Sequence, residues 1–182
     1  MNNSELETLI RNILREQLVP ATPRMQRNAI FQTVDEAVCA AHQAFLRFQQ
    51  CPLKTRSAII SAIREELMPR LTELAEESAS ETGMGNKEDK YLKNKAALNN
   101  TPGIEDLTTT ALTGDGGMVL FEYSPFGVIG SVTPSTNPTE TIINNSISML
   151  AAGNSVYFSP HPGAKYVSLK LITTIEDIAF RC

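Results

Sequence analysis

Residues 128–160 read VIGSVTPSTNPTETIINNSISMLAAGNSVYFSP, and their order decides the fold. Val128–Val132 is a short β-type run, closed by the turn residues of TPSTNP. Helical spacing follows from Thr139 to Ala152, Gly153-Asn154 stops it, and Ser155–Ser159 is a second β-type run. SPHPG makes the next turn, and Val167, Leu171, Ile175 and Ile178 recur at helical intervals within Ala164–Phe180. Strand, turn, helix, strand, turn, helix predicts parallel α/β construction, with ligands at the carboxyl ends of the strands. A parallel sheet needs both faces covered, and two strands with two helices make half of one nucleotide-binding sheet. The sequence stops at Arg181-Cys182, on a helix. The expected fold class is therefore α/β: N-terminal helices followed by a partial, truncated parallel βαβα nucleotide-binding unit.

Upstream, Met118–Tyr123 (MVLFEY) is strand-like behind a turn at Asp115-Gly116-Gly117, and the segments before it are helical. Thr33 and Glu36 form a capping box that opens a helix to about Gln50. Its expected buried face is Val34, Ala37, Val38, Ala41, Ala44, Phe45 and Phe48. A second helix, Lys54–Met68, is to be buried through Ile59, Ile60, Ile63 and Leu67. Pro69 kinks or restarts it, Leu71, Leu74 and Ala75 continue the pattern, and Gly83 ends it. A further helix over Lys87–Asn99 carries Lys87, Lys90, Lys93 and Lys95, read as a solvated face; attraction of a phosphate-bearing ligand is the less favoured reading.

The first residues stand apart. In SELETLIRNILREQL (4–18), Ser4 and Glu7 form another capping box. Leu6, Leu9, Ile10, Ile13 and Leu14 make one apolar stripe opposite Arg11, Asn12, Arg15 and Glu16. Pro20 and Pro23 mark a linker over 19–29. A helix this short is marginal alone, so its stripe docks either on its own domain or in a partner's groove. The mixed charge of its polar face argues against a membrane surface.

Composition narrows the classes. The chain has 182 residues with a net charge of −4, which gives no basic footprint for nucleic acid. No apolar run reaches the length of a membrane span, and no secretory signal opens the chain. Cys39, Cys51 and Cys182 form no C-x-x-C pair, and His42 and His161 lie apart from them, so a reduced cytoplasmic setting without a structural metal is expected.

Residues 124–165, SPFGVIGSVTPSTNPTETIINNSISMLAAGNSVYFSPHPGAK, resemble the nucleotide-binding segment of the aldehyde dehydrogenase superfamily. The layout P-x-G-V-x-G, then T-P-x-x-x-P, then A-A-G-N carries the likeness. TPSTNP and SPHP, with ETGMGNKEDK upstream, are similar to its coenzyme-A-acylating branch, and residues 4–18 resemble the encapsulation peptides of microcompartment enzymes. The resemblance implies oxidation of propionaldehyde, or alternatively acetaldehyde, to the acyl-CoA, with NAD as cofactor and coenzyme A as co-substrate. It implies a cysteine nucleophile beyond this chain, matched by none of Cys39, Cys51 and Cys182. A chain limited to these residues would be inactive, keeping only its contact with a shell protein. A free-standing nucleotide-binding module ranks last. The resemblance further implies a homo-oligomer located in the cytoplasm inside a bacterial microcompartment. The implied division is a targeting helix (1–18), a linker (19–29) and part of a nucleotide-binding domain (30–182).

Where the superfamily usually has T-P-W-N-F-P, the oxyanion-stabilising Asn falls on Thr136, with Asn137 one residue later. Asn137 is the candidate donor and Thr136 its rival, and capping of the next helix is an equal structural role for Asn137. The usual K-P-S-E ribose grip reads Ser159-Pro160-His161-Pro162, without its Lys and Glu. Thr133, Pro134, Ser135, Ser159 and His161 are the candidate cofactor contacts, and His161 reads equally as a plain loop residue. No G-x-G-x-x-G fingerprint occurs; Gly127 and Gly130 are explained by close packing.

Overall fold

The computed structural model describes residues 29–182; the helix expected over 4–18 and its linker lie outside the described residues, but for the last linker position. Helix α1 spans Val34–Phe48, α2 Leu53–Leu67, α3 Leu71–Thr82 and α4 Lys87–Asn100. A hairpin of β1 (Thr110–Gly114) and β2 (Gly117–Phe121) follows, then β3 (Val128–Thr133), α5 (Pro138–Ala151), β4 (Ser155–Pro160) and α6 (Lys165–Arg181).

The punctuation read from the sequence operates as expected. Thr33 Oγ1 accepts from Glu36 N, and the Glu36 carboxylate accepts from Thr33 N, which completes the capping box. Pro69 sits in a tight helical turn, Met68–Arg70, that restarts the chain into α3. Gly83 ends α3 at φ 64°, a left-handed position open to glycine.

Strands β3 and β4 run parallel, in register from Val128 opposite Ser155 to Thr133 opposite Pro160. The core lies among the helices. Ile59, Ile60, Ile63 and Leu67 of α2 meet Leu71 and Leu74 of α3, Leu98 of α4, Ile142, Ile143 and Ile147 of α5, and Leu171 and Ile178 of α6. Burial of each such side chain contributes about 1.5–3 kcal/mol.

Three expectations are corrected. The stripe of α1 does not form a buried face: Ala41 is buried, but Val34 (59%) and Val38 (36%) are exposed. The helix lies against β3 and β4, where Ser155 Oγ donates to Ala41 O at 2.7 Å, and Ala37, Ala44, Phe45 and Phe48 are only half-buried. The run Met118–Tyr123 is a strand as expected but ends at Phe121, and its antiparallel partner β1 was unforeseen; all ten residues of the hairpin strands are exposed. Lys90, assigned to a solvated face, is 3% exposed.

Gly130 has a specific reason. A Cβ there would stand 2.8 Å from the Tyr157 hydroxyl on β4, so the ring of Tyr157 rests over the strand where glycine leaves room for it. At Gly127, φ is 118°, which permits the chain to turn into β3. Asn154, 2% exposed, secures that entry by accepting from Phe126 N (2.7 Å) and Gly127 N (3.0 Å) through Oδ1.

Candidate functional site

The turns that follow β3 and β4 lie side by side, joined where His161 N donates to Thr133 O at 3.1 Å. This brings Thr133, Pro134 and Ser135 together with Ser159 and His161 at the carboxyl end of the strand pair. Parallel α/β sheets gather ligands there, because the strand-to-helix turns open a crevice lined by unpaired polar groups. Thr133 is 1% exposed, and its buried Oγ1 has no partner among the described residues. Pro134 and Ser159 are exposed, and Ser135 is half-buried with its hydroxyl 3.9 Å from Met84 Sδ. His161 accepts from Gly163 N through Nδ1 at 3.0 Å. An accepting Nδ1 carries no proton, so the neutral ring holds its hydrogen on Nε2 and can donate from there.

Asn137 occupies the N-cap position of α5, yet its side chain makes no capping bond, which corrects the structural role set beside its functional one. Its carbonyl oxygen receives Thr141 N at 3.2 Å and Thr141 Oγ1 at 2.6 Å. Its amide oxygen accepts from Lys93 Nζ at 3.2 Å. One residue earlier, the Thr136 carbonyl accepts from buried Lys90 Nζ at 3.0 Å, while Thr136 itself is exposed.

The sequence reading missed both lysines as loop ligands. Their spacing of three residues on α4 places them on one face, but the partners lie more than forty residues away. It also missed Glu81. That carboxylate, on α3, receives Tyr166 N and Val167 N at 2.8 Å each, and so caps the N-terminus of α6. An anion already held there closes the α6 N-terminus to a phosphate. At the strand ends the exposed Ser159 hydroxyl and the half-buried Ser135 hydroxyl can each donate or accept a hydrogen bond.

The cysteines stand away from the crevice. Cys39 is exposed on α1, Cys51 is half-buried just after α1 with its thiol directed to Arg47 O, and Cys182 is exposed after α6. No group of three His, Cys, Asp or Glu side chains able to hold a metal ion occurs among the described residues, and no described helix is long and apolar enough to cross a membrane. A recess lined by Arg70, Thr174, Asp177 and Arg181 flanks the last turns of α6, not the strand ends.

A parallel βαβα unit with polar turns converging at its strand ends defines an α/β protein. The sequence model of the aldehyde dehydrogenase family matches residues 22–180, and the chain belongs to that family. It is 84% identical over its whole length to the CoA-propanoylating propanal dehydrogenase of Citrobacter freundii, and spans 40% of that protein. The solved propionaldehyde dehydrogenase of Rhodopseudomonas palustris, with bound CoA and an acylated cysteine, superposes with a TM-score of 0.82 at 50% identity. The match covers 84% of this chain and 35% of that one. A propionaldehyde dehydrogenase from the fucose-utilisation microcompartment of Clostridium phytofermentans superposes at 0.81 with 44% identity, over 84% of this chain and 35% of that one.

Proposed function

We propose that the chain forms the cofactor-side portion of a CoA-acylating propionaldehyde dehydrogenase that works inside a bacterial microcompartment. The reaction converts propionaldehyde, NAD⁺ and coenzyme A into propionyl-CoA, NADH and a proton. The observation that carries this reading is the meeting of two turns: TPSTN and SPHP, which resemble those of the acylating branch, are joined through the His161–Thr133 bond. The 84% identity to a propanal dehydrogenase supports propionaldehyde over acetaldehyde as substrate.

Each crevice residue has a part. Thr133 and the following Pro134 and Ser135 would hold the cofactor from one turn, and Ser159 with the Nε2–H of His161 would donate to ribose oxygens from the other. The nicotinamide nucleotide, when bound, supplies the hydride acceptor. Asn137 donates from Nδ2 to the oxygen of the aldehyde as it gains negative charge, the kind of preorganised donor that lowers such barriers most. The nucleophile is a thiolate, and none of Cys39, Cys51 and Cys182 serves, because no one of them stands at the strand ends. Residues 1–182 by themselves therefore turn over no aldehyde.

The apolar stripe of Leu6, Leu9, Ile10, Ile13 and Leu14 docks in a groove of a shell protein and carries the enzyme into the compartment. A fluorescent protein fused to residues 1–18 is expected to form puncta in cells that make microcompartments, and Leu9→Glu with Ile13→Glu to disperse them. Residues 30–182 act as the nucleotide-binding part behind that helix and its linker. The family reading as a homo-oligomer is supported by the exposed hairpin, where Leu112, Met118, Leu120 and Phe121 stay more than half exposed.

The test of the enzyme reading is a chimera in which residues 1–182 replace the matching segment of the Citrobacter freundii protein. Propionaldehyde, CoA and NAD⁺ are expected to yield NADH at a rate comparable to the parent, and faster than acetaldehyde does.

A further inference from the structure

Helix α4 holds two consecutive residues of the β3 turn through two lysines one helical turn apart. Lys90 is 3% exposed, and a buried ammonium requires an acceptor. It finds the Thr136 carbonyl at 3.0 Å, which fixes the backbone immediately before Asn137. Lys93, on the solvent side, reaches the Asn137 amide at 3.2 Å. An ammonium has donors only, so the atom facing Lys93 must be the amide oxygen, and the orientation of the amide follows. Asn137 Nδ2 has no partner among the described residues, and the side chain is not engaged in capping α5.

We propose that Lys93 is a positioning residue: by holding Asn137 Oδ1 it presents Nδ2 as the donor to the substrate oxygen, and Lys90 anchors the turn that makes this possible. The inference rests on the role given to Asn137 above. An amide whose oxygen is bonded to a cation loses electron density from nitrogen, so its N–H becomes the stronger donor. The same contact excludes the opposite flip, in which the amide oxygen would repel a developing oxyanion. Thr136, whose carbonyl is tied to Lys90, lacks any such polarisation of its side chain.

The test is made on the chain itself, labelled with ¹⁵N-asparagine, with the Asn137 side-chain signal identified by its disappearance in Asn137→Asp. Lys93→Met is expected to move the Asn137 Nδ2 nitrogen upfield, and Lys93→Arg, which keeps a cationic donor, to return it towards its original position. An unchanged signal in Lys93→Met, or an equal displacement in both variants, overturns the proposal. The kinetic arm uses the chimera. Lys93→Met is expected to lower kcat several-fold at unchanged KM, and to lower it no further once Asn137 is Ala; equal losses in both backgrounds contradict the proposal. If Asn137→Ala alone leaves kcat intact, the oxyanion reading falls, a result distinct from an Nδ2 signal that ignores Lys93.

Discussion

The βαβα unit and the β1–β2 hairpin both carry apolar side chains and differ in how far these are buried. In α5, Ile142, Ile143 and Ile147 are fully buried, and β3 and β4 rest against helices. In the hairpin, Leu112, Val119, Leu120 and Phe121 have comparable side chains and remain 53–58% exposed, paired across the ladder from Thr110–Phe121 to Gly114–Gly117. A two-stranded hairpin by itself is marginal in water. Residue type sets what an element can bury; the neighbours decide what it does bury.

Core truncation should separate the two regions most. Ile147→Ala is expected to cost about 2–5 kcal/mol of unfolding free energy, whereas Leu120→Ala should stay within about 0.5 kcal/mol. Urea unfolding at constant slope measures both, and an equal cost for Leu120→Ala would break the comparison. Asn154 tests the joint between the regions. Asn154→Ala leaves the Phe126 and Gly127 N–H groups without their acceptor and should cost about 1–3 kcal/mol, read in the same experiment. Glu81→Gln removes the charge from the α6 cap and is expected to cost about 1 kcal/mol.

The smallest effect is electrostatic. Lys170 on α6 bonds Glu73 at 2.6 Å and also Glu77, both on α3. Its hydrogen bonds to Glu73 and then Glu77 hold the Lys170 ammonium above its ordinary pKa, and the Lys170 bond holds the Glu73 carboxyl below the usual value. The Glu73 contribution is complete above its unfolded pKa and is lost as pH falls through the lowered folded value. The Lys170 contribution is complete below its unfolded pKa and is lost as pH rises through the raised one. The tie thus holds across neutral pH and fades at both extremes. These groups are largely exposed and screened, so Lys170→Met should slightly flatten the acid and alkaline limbs of a stability–pH curve and change little between them.

Local chemistry was legible wherever it acted locally. The capping box at Thr33, the restart at Pro69, the stop at Gly83 and the periodicity of Val167, Leu171, Ile175 and Ile178 each depend on neighbours within one or two turns, and each appears as read. The two strand-end turns were legible because TPSTNP and SPHP follow a family pattern, from which Asn137 stands one residue away. The missing parts all depend on distant partners. Lys90 looks like any surface lysine until Thr136 arrives beside it, and Glu81 gains its meaning from the start of α6, 85 residues on. Helix α1 has an amphipathic sequence, but amphipathicity does not specify which face of which neighbour will cover it.

The central claim is that these residues build the cofactor side of an acylating aldehyde dehydrogenase, and the most direct measurement is CoA-dependent NADH formation from propionaldehyde by the folded chimera. Sustained turnover that requires both NAD⁺ and CoA is the predicted result. A folded chimera that forms no NADH beside an active Citrobacter freundii parent would contradict the account.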